Sequence, residues 1–293
     1  MTGTPAWLTD ALAADVELGV VEVDGVAIHY RAWGKPGNEN GIVFVHGGAA
    51  HSRWWDHVAP FFAGDRRVVA LDLSGHGDSG RREEYLMARW ADEVLAAAAH
   101  GGAGPNPLVI GHSMGGMVAI TAARLRGTEL AGAVAVDTPF WEDQPEEQAA
   151  GAQQAFGPLR RYPSREAALK RFKLIPEQDG NDPAIHAHIA ETSLRAIDGD
   201  WNWKFDPNVF RGRGRPVPLE LPRCRVAVFR AEHGLVPPDM GERIAERLGR
   251  VVPVVEIPLA AHHVMIDQPL SLITALRTLL ADWTHSEPHR PEA

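Results

Sequence analysis

The chain holds a single cysteine, Cys224, among 293 residues, so no intrachain disulfide can form, and a reducing, cytoplasmic setting is expected. Cys224 opens an apolar run and reads as an inert buried thiol. Positive charge is scarce. The 29 Lys and Arg face 38 Asp and Glu, for a formal charge of -9, and the two signs are interspersed, so no basic face is offered to nucleic acid. The one Arg-dense run, "RGRGR" at 211–215, is broken by glycine and reads as a solvated loop. Long apolar runs are missing too. None approaches the roughly 20 uncharged residues of a membrane span. The opening "MTGTPAWLTDALAADVELG" has no basic stretch and is interrupted by Asp10, Asp15 and Glu17, so no secretion signal is expected. Metal and nucleotide motifs are equally sparse. H-E-x-x-H is absent, "GGAGPNP" at 101–107 lacks the Lys-Ser/Thr of a phosphate loop, and His186 and His188 stand two apart on an expected helix, facing different ways. The expectation is a soluble protein that needs neither metal nor cofactor.

What is present is a large apolar content, 45%, enough for one large domain or two small ones. "VELGVVEVDGVAIHYRAW" (16–33) contains two β-rich runs joined at Asp24-Gly25, a hairpin signal. "GIVFVH" (41–46), "RVVALDL" (67–73), "PLVIGH" (107–112) and "AGAVAVD" (131–137) are short continuous apolar runs, as in strands covered on both faces, with helical patterns expected between them. "RVAVFRA" (225–231) and "VVPVVEIP" (251–258) supply two later strands. Alternating strands and helices imply right-handed crossovers and an α/β fold with a mostly parallel, doubly wound sheet and antiparallel N-terminal strands. Residues 138–222 change character, becoming rich in Pro, Gln, Arg and Trp, with a helix start at Asp182-Pro183. They are expected to form a helical lid at the carboxyl end of the sheet, where open α/β sheets place ligands. The core is then 1–137 with 223–284, and 285–293 is expected to be a disordered tail.

"VIGHSMGGMVAI" (109–120) sets Ser113 between Gly111 and Gly115, after an apolar strand and before an Ala/Ile helix. A nucleophile elbow needs that context, because the serine must adopt a strained backbone while strand and helix pass closely. A serine nucleophile needs a base, and its tetrahedral intermediate needs oxyanion donors. "FVHGGAA" (44–50) offers the Gly48 N–H, which joins the Met114 N–H as candidate oxyanion donors. In "AAHHVMIDQP" (260–269), His262 follows small residues and is favoured as the base, whereas His263 abuts the apolar "VMI".

With "HGG" from 46, "DLSGHGDS" at 72–79, "GHSMGG" from 111 and "HHVMIDQP" from 262, in that order, the chain resembles the α/β-hydrolase family along nearly its whole length. The resemblance implies Ser113 as nucleophile, His262 as general base and Gly48 with Met114 as oxyanion donors. It implies that Asp72 and Asp78 shape a turn. It also exposes a departure. Members often carry G-x-x-D after the strand matching 225–231, and here Gly234 stands at the Asp position. Asp137, ending the strand before the insertion, is favoured as the acid, with Glu232 as the alternative. The function expected is hydrolysis of a carboxylic ester or lactone of a small hydrophobic substrate. A C–C bond hydrolase with the same triad, or a ligand-binding protein on the same fold, are the alternatives. Epoxide hydrolases and dehalogenases use Asp where Ser113 stands. His51, Trp54 and Trp141 are expected at the pocket, with Trp55, Trp201, Trp203 and Phe205 as packing or ligand-facing aromatics. Nothing in the sequence fixes the oligomeric state.

Overall fold

The structure, a computed structural model, describes residues 3–37, 41–139, 160–210, 222–247 and 252–286. It begins with the hairpin read from Asp24-Gly25. Strands β1 (Glu17–Val23) and β2 (Val26–Trp33) pair antiparallel across a two-residue loop. Asp24 and Gly25 there have φ of 45° and 74°, both left-handed, as the tightest hairpin turn requires. β2 pairs antiparallel with β4 (Val68–Leu71), and from β4 onward every pairing in this sheet is parallel. Strands β3 (Ile42–Val45), β5 (Leu108–His112), β6 (Gly132–Val136), β9 (Arg225–His233) and β10 (Val254–Ala261) complete an eight-stranded sheet ordered β1-β2-β4-β3-β5-β6-β9-β10.

Every residue of β3, β4, β5 and β6 is buried, which is why these strands read as unbroken apolar runs. The period-2 alternation of strand side chains divides them between two cores. Val43, Val45, Val69 and Val109 face α2 (Met87–His100) and α3 (Met114–Arg126). Ile42, Phe44, Val68 and Ile110 face the opposite layer, built from Leu272, Ile273 and Leu276 of α8 (Pro269–His285) and from Trp55 and Phe62. α1 (Ala6–Leu12) adds Leu8 to that layer. A helix was expected between β3 and β4; the chain instead makes two 3₁₀ turns, Ser52–Trp55 and Ala59–Phe62. Pro60 sits in the first turn of the second, and Trp55 stacks on Phe44 with ring centroids 4.6 Å apart. Apolar anchoring fixes this segment without a long helix. α6 (Pro238–Arg247) and α7 (Val264–Asp267) lie between later elements, and α8 runs to His285, one residue into the expected tail. Residues 287–293, for which disorder was expected, lie outside the described residues.

The described part of the insertion is not purely helical. It holds α4 (Arg165–Leu169), α5 (Pro183–Thr192) and a two-stranded antiparallel sheet, β7 (Leu194–Ile197) and β8 (Asp200–Trp203). "DWNWKFDP" alternates polar and aromatic residues, which is strand periodicity, and β8 takes it up. α5 starts as expected, with the Asp182 carboxylate accepting from the Ala184 and Ile185 amides at 2.8 and 3.1 Å. Trp203 packs on Tyr162 and Phe172, Trp201 pairs through its backbone with Tyr162, and Phe205 joins the sheet core. The insertion is riveted to the sheet domain by His188 Nε2 to Asp56 at 3.0 Å and Tyr85 Oη to Asp206 at 2.9 Å. "RGRGR" lies outside the described residues.

Asp72 and Asp78 occupy the turn after β4. The Asp72 carboxylate accepts the Ser52 amide at 2.7 Å and the Asp78 amide at 2.8 Å, so one side chain ties two loops together. Replacing Asp72 by Ala strands both amides, and a buried orphan donor costs about 1–3 kcal/mol. Asp72→Ala should therefore lower unfolding free energy by about 2–4 kcal/mol in urea titration; a loss under 0.5 kcal/mol would contradict this role for the carboxylate.

Candidate active site

Ser113 sits between β5 and α3 with φ 52° and ψ -117°, a strained conformation for a residue with a Cβ, costing about 1–3 kcal/mol. Its surroundings over-determine it. Its N–H donates to Val136 O at 2.9 Å and its carbonyl accepts from the Gly116 amide at 3.0 Å. The flanking glycines permit the crossing, since a Cβ on Gly111 would run into the backbone of Gly115, and one on Gly115 into the Val45 and His46 carbonyls. The side chain of Ser113 is left half-buried. The "HGG" loop crosses the elbow at contact distance. A Cβ on Gly47 would stand 3.4 Å from Ser113 Cβ and 3.0 Å from His112 Nδ1, so this position accepts nothing larger than glycine without movement. Gly48 follows directly, Ala49 takes φ 58°, and Met114 opens α3.

Asp137 follows β6 and is fully buried, also with positive φ, 40°. Its carboxylate accepts three hydrogen bonds: His262 Nδ1 at 2.7 Å, the Leu235 amide at 2.8 Å and the Ala231 amide at 3.1 Å. Burial pushes this carboxyl up, but the His262 bond and charge, with the two amides, outweigh it and hold it below the ordinary carboxylate value. The ionised carboxylate only accepts, so the His262 Nδ1–H is the donor in this bond. Glu232, the alternative acid, points elsewhere. Its Oε2 accepts the Leu259 amide at 2.7 Å at an exposed site. Gly234 shows why: a Cβ there would fall on the Asp137 carboxylate itself. The space a side chain at 234 would need is already filled by the Asp137 carboxylate from the neighbouring strand.

His263 does not meet Asp137. Its Nε2–H donates to Pro176 O at 3.2 Å, its ring lies edge-on to Trp54, and burial holds it well below the usual imidazole value. His112 Nε2–H donates to the His262 carbonyl at 2.8 Å, and burial and the His262 charge push His112 down to about 3, so it stays neutral. His112, His262 and His263 bring one ring nitrogen each within 4.8 Å of one another, the one group among the described residues close enough to hold a metal ion. Motif spacing could not reveal it, because His112 comes from a segment 150 residues before His262.

The expected pocket residues separate. His51 is buried and its Nε2 is engaged by Ser193 Oγ of the insertion at 2.8 Å, and Trp54 is buried against His263. Trp141 lies outside the described residues. Cys224 is half-buried and its thiol is pushed up to about 12 by burial, as an inert side chain would be. No helix among the described residues is long and apolar enough to cross a membrane.

A largely parallel eight-stranded sheet, with a serine on a strained strand-to-helix turn and a buried Asp–His pair joining the ends of two further segments, defines an α/β hydrolase fold. The chain belongs to the alpha/beta hydrolase family, whose model matches residues 42–275. It is 27% identical over 276 residues to an esterase of Mycobacterium tuberculosis, covering 89% of each chain. Over a shorter stretch of 95 residues, 32% of this chain and 35% of the relative, it is 34% identical to a pimeloyl-[acyl-carrier protein] methyl ester esterase of Sodalis glossinidius. Among solved structures, an E-2-(acetamidomethylene)succinate hydrolase superposes with a TM-score of 0.78 at 21% identity, over 91% of this chain and 100% of that one.

Because Gly234 borders the Asp137 carboxylate, Gly234→Ala should destabilise the fold by about 1–3 kcal/mol, the usual cost of overpacking. Chemical denaturation reads this directly, and an unchanged midpoint would show that the space is not filled.

Proposed function

We propose that this protein is a serine hydrolase that cleaves a carboxylic ester or lactone of a small hydrophobic molecule through an acyl-enzyme, without a cofactor. The observation that carries the reading is the 2.7 Å bond from His262 Nδ1 to the buried Asp137, formed beside a serine on a strained turn. Ser113 Oγ attacks the carbonyl carbon while His262 Nε2 takes its proton. The Gly48 and Met114 amides receive the oxyanion. The intermediate collapses, the leaving alkoxide takes the proton from His262, and Ser113 is left acylated. Water then attacks the acyl carbon, giving its proton to His262, which returns it to Ser113 as the acid departs. Asp137 holds the Nδ1–H tautomer and stabilises the imidazolium. The insertion acts as the lid and selects the substrate. The esterase names of the two relatives support an ester, and the single Cys224 is in keeping with a reducing, cytoplasmic compartment.

A fluorophosphonate probe tests the nucleophile. Covalent labelling should occur in the wild type and vanish in Ser113→Ala, and a folded wild type that takes no label would favour a ligand-binding protein. The acid is tested separately with one ester substrate. Asp137→Asn should lower kcat by about 10⁴, as amide replacement of a triad acid does in the protease example, because it removes the fixed tautomer. Glu232→Gln should remain within about tenfold. The reverse ranking would move the acid to Glu232.

A further inference from the structure

Among the described residues, the loop carrying His262 is held from two sides, and the two sides meet on a single peptide. The carbonyl of His262 accepts His112 Nε2–H at 2.8 Å, from the strand that leads into the elbow. The amide of His263, at the other end of the same peptide, donates to Gln178 Oε1 at 2.7 Å, from the insertion. A trans peptide is a rigid plane, so bonds at both ends fix its rotation, and with it the direction in which the preceding Cα projects the His262 side chain. Elsewhere the loop is tied by backbone or more remote contacts. On the core side, Asp267 Oδ2 accepts the Ala261 amide at 2.6 Å and His57 Nε2–H donates to Met265 O at 2.5 Å. On the insertion side, Pro176 O accepts from the His263 ring at 3.2 Å and the Asp182 amide donates to Ile266 O at 3.2 Å. Among the described residues of the insertion, Gln178 alone reaches through a side chain to the peptide next to His262.

Gln178 is itself held in place. Its side-chain Nε2 donates to Asn181 Oδ1 at 2.9 Å, and its backbone carbonyl accepts from Asn181 Nδ2 at 2.8 Å. The Nε2 bond orients the side-chain amide and leaves Oε1 as the acceptor turned toward His263, while the backbone bond fixes Asn181 beside it. The residue is half-buried.

We propose that Gln178 is a positioning residue for His262, clamping the His262–His263 peptide against His112 so that Nε2 is presented to Ser113. The inference rests on the serine-hydrolase reading above. It makes the insertion part of the base's support, so that kcat as well as substrate choice depends on how the insertion is seated.

The test compares Gln178→Met, which keeps the length and loses the acceptor, with Gln178→Glu, which keeps an acceptor oxygen. With one ester substrate, Gln178→Met should lower kcat by about 10- to 100-fold, the scale of an ångström-sized misplacement. KM should stay within about threefold, because the interaction removed is not a substrate contact. The downfield proton of His262 Nδ1–H bonded to Asp137, read by proton NMR, should broaden or vanish. Gln178→Glu should recover kcat to within about threefold and restore that proton. Three results overturn the proposal: kcat of Gln178→Met within twofold of wild type, an equal loss in both variants, or a rise in KM with kcat unchanged. If Gln178→Met fails to fold, Asn181→Ala, which frees the Gln178 amide, should show the same kcat-only split in weaker form, and its absence counts against the clamp. The two readings fail separately. Loss of the probe label in wild type defeats the hydrolase, whereas the NMR proton reports on the clamp without substrate.

Discussion

A carboxylate with no exposure to water remains ionised only where donors replace its lost hydration, and Asp137 has three of them within 3.1 Å. The rest of the site is arranged around that requirement. Two donors are backbone amides of the segment at and just beyond the end of β9, so satisfying Asp137 also fixes the path of that segment. The third is His262, so the same requirement brings the end of β10 to the end of β6. Ser113 shares the region because its N–H is bonded to Val136 O, one residue before Asp137. Serine and carboxylate are thus set by adjacent residues of one strand end.

Both residues take positive φ, 52° for Ser113 and 40° for Asp137. Such strain survives only where the surroundings over-determine the backbone. For Ser113 this is done by the helix N-terminus and by glycines with no room for a Cβ. For Asp137 it is done by the Phe229 carbonyl, which accepts the Asp137 amide at 2.7 Å, and by the bonds to the side chain.

Much of this was legible in the sequence. The four central strands announce themselves because burial on both faces leaves no polar alternation, and the Asp24-Gly25 loop because only a left-handed pair closes so short a turn. The elbow is legible because its glycines are local. Gly234 was visible as a departure, yet its meaning was not, since the clash lies between residues about a hundred positions apart. The β7–β8 hairpin was missed although "DWNWKFDP" carries its alternation, because four residues of pattern compete poorly with the helical expectation for the whole insertion. Gln178 carries no signal at all. A glutamine at a half-buried position is ordinary until the fold brings it to the peptide after His262, and the same holds for Ser193 on His51.

The buried Asp137 carboxylate constrains what the segment at the end of β9 must be. The segment serves Asp137 through the Ala231 and Leu235 amides, and a backbone N–H is indifferent to the side chain attached to it. Two prohibitions follow for residues 231–235: no proline at 231 or 235, which would delete a donor, and no side chain at 234, which would collide with the carboxylate. What the buried carboxylate asks of this loop is two amides and one empty Cβ.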